Sequence, residues 1–515
     1  MQNTGRSKVW RIQLRLVLRT QSRSNDMILA IDQSTSATKA ILFDARGKVL
    51  DKASRNHRQI CPRPGWVEHD AEEIWKNVLA VIGEIAKRNR PKLAKLVAFS
   101  ITNQRETVLV FDRKTGKPLH HALVWQDRRG DAICAKLTKQ GRGPSVLKKT
   151  GLKIDTYFSA SKIRWLIENK PDLAAKLKSG NAVIGTVDAY LIYRLTGRKV
   201  FATDYTNASR TLLFDIGKLK WDSELCKLFK VPTSALPEVR ESAAQFGETD
   251  AGGILPEHIP IIGVMGDSQA SLFAQRCYQP GTAKATFGTG TSVLLNIGAK
   301  LRVSEKGAVT ALAWVYQGKP TYAFEGLINF SAATIEWLKN QLELIDNANE
   351  VERLALSVKD NGGVYLVPAF AGLSAPYWAP EARAAIVGMT GHTRKEHIVR
   401  AALEAIAYQI RDVLEMMRAD GRVKLRNLQA DGGPTRNKFL MQFTADITRT
   451  ELDVAEVAES SAWGAALLGL LGLGIIEWNQ LTKVARVQKR FRPKMTEADA
   501  RRLYRGWQDA VQRVL

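Results

Sequence analysis

Cysteine is scarce in this chain: Cys61, Cys134, Cys226 and Cys277 are isolated, with no C-x-x-C pair and no Cys/His cluster. That pattern argues against a disulfide-stapled scaffold or a structural zinc site, and it leads us to expect a reduced, cytoplasmic protein. No run of about 20 apolar residues occurs, so no membrane span is expected. The longest apolar stretch, residues 465–476, is short and glycine-containing and reads as a core helix with its stop. The G-x-x-x-x-G-K-[ST] phosphate loop is missing too. Acidic residues are outnumbered, 51 against 76 Lys and Arg, for a net charge of +25. The excess is dispersed, without a recognition motif or a basic–aromatic array. No nucleic-acid partner is expected, and the charge suits small anions such as nucleotides.

Residues 1–26 carry Arg6, Lys8, Arg11, Arg15, Arg19 and Arg23 and no acid before Asp26. Arg-rich, acid-poor composition resembles an organelle-targeting segment. Because Met27 opens the first strand directly, the reading preferred here is a basic extension ahead of the true start, disordered and outside the fold.

At 515 residues the chain exceeds one ordinary core. Two α/β domains are expected, 27–272 and 273–515, with the crossover near 271–280, where Gln279-Pro280-Gly281 supplies a turn. Residues 27–32 and 39–44 read as strands joined by a polar turn. Residues 282–287 and 292–297 repeat the device through Gly288–Thr291. Asp70 caps a helix whose apolar face is Ile74, Val78, Val81, Ile82 and Ile85. Residues 96–102 form a buried strand that delivers Arg105 and Glu106, and 397–417 form a long helix.

Two strand-end carboxylates carry the chemistry. Ile261-Ile262-Gly263-Val264-Met265-Gly266-Asp267 and Ile28-Leu29-Ala30-Ile31-Asp32 each place an Asp at the mouth of a buried strand, where α/β proteins bind ligands. The turns at 34–38, Gly288-Thr289-Gly290-Thr291 and Asp431-Gly432-Gly433 offer backbone N–H groups and hydroxyls to phosphate oxygens. Phosphorylating an alcohol needs a base, a metal on the phosphates and donors for developing charge. Asp267 is the candidate base. Asp32 is the candidate Mg²⁺ holder, through water, with Asp267 beside it. Arg105 and Glu106 can grip adjacent hydroxyls of a polyol. Trp125 and Tyr157 can supply a pocket wall and a hydroxyl contact.

Beyond these features the chain resembles the FGGY carbohydrate kinase family, and within it the glycerol-phosphorylating branch. One family signature is similar to the run Tyr157 to Asn169, and a second to Ala384 through Gly388 and His397 to Glu404. Further matching runs are Pro64-Gly-Trp-Val-Glu-His-Asp70, Ile101-Thr-Asn-Gln-Arg-Glu-Thr107, Thr203 to Thr211 and Val367-Pro-Ala-Phe370. The resemblance implies a fold of two duplicated actin-like (ribonuclease H-like) domains facing a central cleft. It implies a first domain holding substrate, phosphates and the base, and a second holding the nucleotide. It implies ATP with Mg²⁺, phosphorylation of glycerol to sn-glycerol 3-phosphate, and a homodimer or homotetramer. Arg105, Glu106, Tyr157, Asp267, Ser268 and Trp125 fall at substrate positions. Thr35, Ser36, Ala37, Lys39, Gly288, Thr289, Ala332, Glu336, Gly433 and Asn437 fall at nucleotide positions.

The chain departs from that branch at several of them. Ser34 and Ser36 stand for Gly and Thr, Lys39 for Arg, Ser268 for Gln, Ser292 for Phe, Ala332 for Gly and Glu336 for Gln. Lys39 keeps the charge but loses the bidentate fork. Ser268 and Ser292 remove bulk, which leaves a longer polyol or ketose as the alternative substrate. The loop 252–258 lacks the Gly-Thr-Arg pattern tied to fructose-bisphosphate inhibition. A nucleotide-binding scaffold without turnover is the remaining alternative, weakened by the presence of Asp32, Asp267, Arg105 and Glu106.

Overall fold

The computed structural model describes residues 26–456, 459–484 and 487–515. The expectation for the basic extension, 1–26, therefore lies outside the described residues apart from Asp26.

Two sheets organise the molecule. The strands of the first are β1 (Met27–Gln33), β2 (Ala37–Asp44), β3 (Val49–Asn56), β4 (Leu96–Asn103), β5 (Gln245–Thr249) and β6 (Ile259–Gly266), in the spatial order β5-β6-β4-β1-β2-β3. β1 runs parallel to β4, β4 parallel to β6, and the outer pairings are antiparallel. The second sheet contains β7 (Thr282–Phe287), β8 (Thr291–Gly298), β9 (Val309–Tyr316), β10 (Lys319–Ile328), β11 (Asn427–Asp431), β12 (Leu452–Ala455) and β13 (Val487–Phe491). Its order is β9-β10-β8-β7-β11-β12-β13. Here β7–β11 and β11–β12 are the parallel pairs. Superposing β7 on β1, β8 on β2, β10 on β3, β11 on β4, β12 on β6 and β13 on β5 reproduces the first sheet's order and strand directions. The fold is thus two duplicated actin-like, ribonuclease H-like α/β units, and the duplication seen in the two sequence hairpins extends to every strand of the first sheet.

The central strands are buried on both faces, as parallel strands covered by helices must be. All seven residues of β1 are buried, and so are seven of the eight in β6. Helix α1 (Ala71–Asn89) covers the first sheet with Ile74, Val78, Val81, Ile82 and Ile85. Asp70 caps it by accepting from the Glu72 N–H at 2.9 Å. Among the later helices are α2 (Asp267–Ala274), α3 (Ala332–Asn340), α4 (Lys395–Gly421), α5 (Lys438–Thr448) and α6 (Ser460–Gly472). The long α4 covers the second sheet with Leu403, Ile406, Ile410 and Val413.

Helix α6 is the apolar stretch noticed in the sequence, begun and ended a few residues earlier than expected. Although it follows β12, its Ala462, Trp463, Ala466, Leu467 and Leu470 share a core with Ile28, Ala30, Ile41 and Phe43 of the first sheet. Gly464 allows this crossing, because any side chain there would collide with the Ala270 carbonyl of α2. A helix that follows the second sheet's β12 thus locks onto the first sheet beside Asp267, where Ser461 Oγ donates to the Asp267 carbonyl at 3.0 Å.

Candidate active site

Register places the first acid. In the β1–β2 pair Asp32 lies opposite Lys39, and Lys39 Nζ is 3.7 Å from Asp32 Oδ2. The same ammonium bonds Glu459 at 3.0 Å, just ahead of α6, and Lys52 joins that carboxylate at 3.1 Å. Asp32 is buried, which pushes its pKa up to about 6. Lys39 opposes that rise, while Asp267 and Glu459 add to it. The two strand-end aspartates are therefore electrostatic neighbours, although they lie far apart in sequence. The turn after β1 is tighter than the sequence suggested, spanning only residues 34–36. Ser34 N–H donates to Ala37 C=O at 2.9 Å, Trp125 Nε1 donates to Thr35 Oγ1 at 2.9 Å, and His57 Nε2 lies 2.9 Å from the Thr35 carbonyl.

Asp267 is the first residue of α2, directly after β6. Its Oδ1 accepts from the Ser268 N–H at 2.6 Å and faces Arg105 Nε at 3.3 Å. Among the described residues no donor bonds to Oδ2, and the side chain is 37% exposed, so one carboxylate oxygen is free to face a ligand. Gly266 N–H is held by Thr206 Oγ1 at 2.9 Å. The run 203–211 builds that support: Asp204 accepts from the N–H groups of Thr206 and Asn207 and from Ser242 Oγ.

Arg105 and Glu106 follow β4. Arg105 Nε lies 4.0 Å from Glu106 Oε1, and each of the two has a nearer partner. Arg105 Nη2 donates to Glu325 Oε1 at 2.6 Å, and Arg210 donates to Glu106 Oε1 at 2.6 Å and to Glu325 Oε2 at 2.8 Å. Both carboxylates and both guanidiniums are at most 4% exposed. Burial alone would raise the Glu325 carboxyl; Arg105 and Arg210 outweigh it and hold the pKa at about 2. Burial raises Glu106, against Arg210 and Arg105. Glu106 also has φ +60°, a left-handed conformation that costs a non-glycine residue about 1–2 kcal/mol. Ser159 Oγ fixes it by donating to its carbonyl at 2.9 Å. Glu325 sits on β10 of the second sheet, so this network spans both halves.

The Tyr157 ring stands 5.3 Å from that of Trp125. Burial, then Glu106, pushes its hydroxyl pKa well up, keeping it protonated as a donor. Lys162 anchors the segment by donating to the carbonyls of Thr156, Tyr157 and Phe158 at 2.6, 3.1 and 3.1 Å.

On the second sheet, the Gly288–Gly290 turn joins β7 to β8. Its carbonyls take the first N–H groups of α3: Ala332 N–H donates to Gly288 C=O at 3.0 Å and Ala333 N–H to Thr289 C=O at 3.1 Å. A cavity of about 440 Å³ opens beside α3. Ala332, Glu336, Gly433 and Asn437 line it with Ile335 and Leu440. That volume suits a small ligand, and a largely apolar wall with flanking polar groups suits a heterocycle. Gly432 has φ +98°, and a side chain on it would collide with the Phe287 carbonyl, so glycine is needed to bring the 431–433 turn against β7. Asn437 Oδ1 caps α5 by accepting from Leu440 N–H at 2.9 Å. Thr289 and Ser36 are exposed, Lys39 and Gly288 are half-buried, and Ala37 is buried. Ser268 is half-buried beside the base, and Ser292 Oγ is buried with no hydrogen-bond partner among the described residues.

Sequence reasoning missed Arg210, Glu325, Glu459 and Lys284. Arg210 lay inside a quoted run, Thr203 to Thr211, without a role. Glu325, in Tyr322-Ala-Phe-Glu-Gly326, and Lys284, in Thr282-Ala-Lys-Ala-Thr286, are charged residues at inward positions of apolar strands. That irregularity was the available signal.

The geometry can be set beside known proteins. Residues 27–274 match the N-terminal domain of the FGGY family of carbohydrate kinases, and residues 283–473 match its C-terminal domain. Glycerol kinase of Petrotoga mobilis is 47% identical over 489 residues, 94% of this chain and 98% of that protein. Glycerol kinase 1 of Thermotoga maritima is 45% identical, covering 95% and 99%. The crystal structure of Plasmodium falciparum glycerol kinase with ADP superposes with a TM-score of 0.91 at 38% identity, over 95% and 98% of the two chains. A xylulose kinase from Lactobacillus acidophilus shares the fold, with a TM-score of 0.85 at 21% identity. With both halves matched in order and the relatives aligned nearly end to end, this chain belongs to the FGGY family of carbohydrate kinases and is a phosphotransferase with an alcohol group as acceptor.

Proposed function

We propose that the protein transfers the γ-phosphoryl group of MgATP to a primary hydroxyl of glycerol, giving sn-glycerol 3-phosphate. The observation that carries this reading is the half-exposed Asp267 carboxylate, held on one oxygen by Ser268 N–H and Arg105 and open on the other. A general base must reach the hydroxyl proton within about 2.6–3.2 Å, and Oδ2 is the atom assigned to that task. Arg105, Glu106, Tyr157 and Trp125 form the polyol subsite: buried charges for neighbouring hydroxyls and aromatic faces for the carbon chain. The cavity at Ala332, Glu336, Gly433 and Asn437 is assigned to the adenosine end, and the turns at 34–36 and 288–290 to the phosphates.

The donor set at Asp32 and Asp267 fits Mg²⁺. Among the described residues no three His, Cys, Asp or Glu cluster as a metal cage. Two carboxylates, one of them buried and raised to about 6 by that burial, suit an ion that keeps its waters and takes phosphate oxygens. Bound there, it would neutralise charge on the phosphates. The chain's own part is to orient Asp267 through Arg105, to take the hydroxyl proton on Oδ2, and to exclude water from the crevice, since water would otherwise accept the phosphoryl group. Cytoplasmic location is proposed with this chemistry, and none of the described helices is long and apolar enough to cross a membrane.

A longer polyol is the second reading, favoured by the buried Ser292 hydroxyl, which has no partner among the described residues. ADP release measured with glycerol, erythritol, threitol, dihydroxyacetone and xylulose separates the two. Glycerol should give the highest kcat/KM; a four- or five-carbon substrate exceeding it tenfold would transfer the assignment.

A further inference from the structure

Lys284 has no role in the scheme above, yet it lies beneath it. The residue is in β7 with 1% exposure, and among the described residues its ammonium makes a single hydrogen bond, to Thr286 Oγ1 at 2.8 Å. No carboxylate of the described residues pairs with it within 4.0 Å. Asp431, Glu325 and Asp267 act on it from farther away and Arg105 repels it, while burial drives its pKa down. A buried ammonium without a paired carboxylate is costly to keep, and an apolar side chain of similar volume would serve packing better.

Strand geometry shows where the pair points. Lys284 and Thr286 are two residues apart and share one face of β7. Thr286 lies opposite Asp431 in the parallel β7–β11 register, and Asp431 Oδ2 accepts from Ser271 Oγ of α2 at 3.0 Å. That face therefore looks toward the helix that begins with Asp267. Thr286 also stands two residues ahead of the Gly288–Gly290 turn and is half-buried. An ammonium only donates. The Thr286 oxygen must accept from it, so the hydroxyl hydrogen is turned elsewhere, and no described residue takes it.

We propose that Lys284 is a positioning residue that locks the Thr286 hydroxyl as a hydrogen-bond donor toward the phosphoryl group in transit. The assignment rests on the kinase reading above. Thr286 touches the substrate, whereas Lys284 acts only through Thr286. No bond is made or broken at either residue; the hydroxyl stabilises charge that grows on the phosphoryl oxygens.

Thr286→Val removes the hydroxyl at nearly constant shape, and Lys284→Met removes the charge at nearly constant length. Loss of one preorganised donor costs about 10²-fold in kcat, and Thr286→Val should lose that much with little change in KM for ATP. Lys284→Met should lose a similar factor while its thermal midpoint stays or rises, an outcome a merely structural lysine would not give. The double variant should be no slower than the slower single, because both delete one interaction. Thr286→Val turning over within about twofold of wild type, or a double variant losing the product of the two factors, would overturn the assignment. Should Lys284→Met fail to fold, Thr286→Val decides alone. A wild type without alcohol-dependent turnover would sink the kinase reading and this one together; a normal wild type matched by Thr286→Val sinks only this one.

Discussion

Replacing Glu325 by glutamine takes away the negative charge that two buried guanidiniums share. In the native protein its oxygens lie 2.6 and 3.3 Å from Arg105 and 2.8 Å from Arg210. Breaking a buried pair by removing one partner costs about 3–5 kcal/mol, because the surviving charge is left uncompensated. Here the survivors keep other contacts: Arg105 retains Asp267 at 3.3 Å and Gln269 at 3.2 Å, and Arg210 retains Glu106 at 2.6 Å. The loss should therefore fall near the lower end, about 3 kcal/mol. Urea denaturation of the full chain at neutral pH reads it as a lower midpoint at constant slope. The pH dependence carries a sign. Glu325 is held at about 2 against an ordinary 4.5, so its stabilisation is complete above about pH 4.5 and is lost as pH falls toward 2. The gap between wild type and Glu325→Gln should stay level from about pH 5 to 8 and close below about 4.5. Since Arg105 also steadies Asp267, KM for glycerol should rise as well. A gap under about 0.5 kcal/mol at neutral pH, or one that widens on acidification, would refute the reasoning.

Two further outcomes follow from named contacts. Lys162→Met frees three carbonyls at the root of Tyr157; hydrogen bonds from a charged donor contribute about 1.5–3 kcal/mol each, so KM for glycerol should rise about tenfold or more while KM for ATP holds. An unchanged glycerol KM would show that Tyr157 is not placed by Lys162. Asp32, raised by burial to about 6, binds its proton more tightly folded than unfolded and ionises only above that value. The Mg²⁺ concentration for half-maximal rate should therefore increase as pH drops through about 6. Asp32→Asn should raise that requirement and abolish its pH dependence, and an Mg²⁺ response identical to wild type would remove Asp32 from the metal site.

Much of the fold was legible because the strands that matter are continuous apolar runs punctuated by Asp or Gly. Residues 27–32 and 261–267 announce buried strands with acids at their mouths, and the 282–297 hairpin announces the duplication. Asp70 and the Ile74–Ile85 spacing fix the start and the buried face of α1, though not its end at Asn89. What could not be read is what topology alone brings together. Glu325 reaches Arg105 only because β10 pairs with β8, 220 residues along the chain. Arg105 and Glu106, neighbours in sequence, engage Glu325 and Arg210 more closely than each other, since a buried charge takes the best geometry available rather than the nearest residue. Likewise α6 was visible as an apolar helix, but nothing local reveals that it packs across on the first sheet. Gly464 against α2 is the closest thing to a clue.

The most direct test is steady-state ADP release with saturating glycerol for wild type and Asp267→Asn, with ATP binding measured in parallel. Removing a positioned base should lower kcat by about 10²–10⁴-fold with ATP affinity nearly intact. A variant that turns glycerol over within about threefold of wild type would contradict the role of that carboxylate and the mechanism built on it.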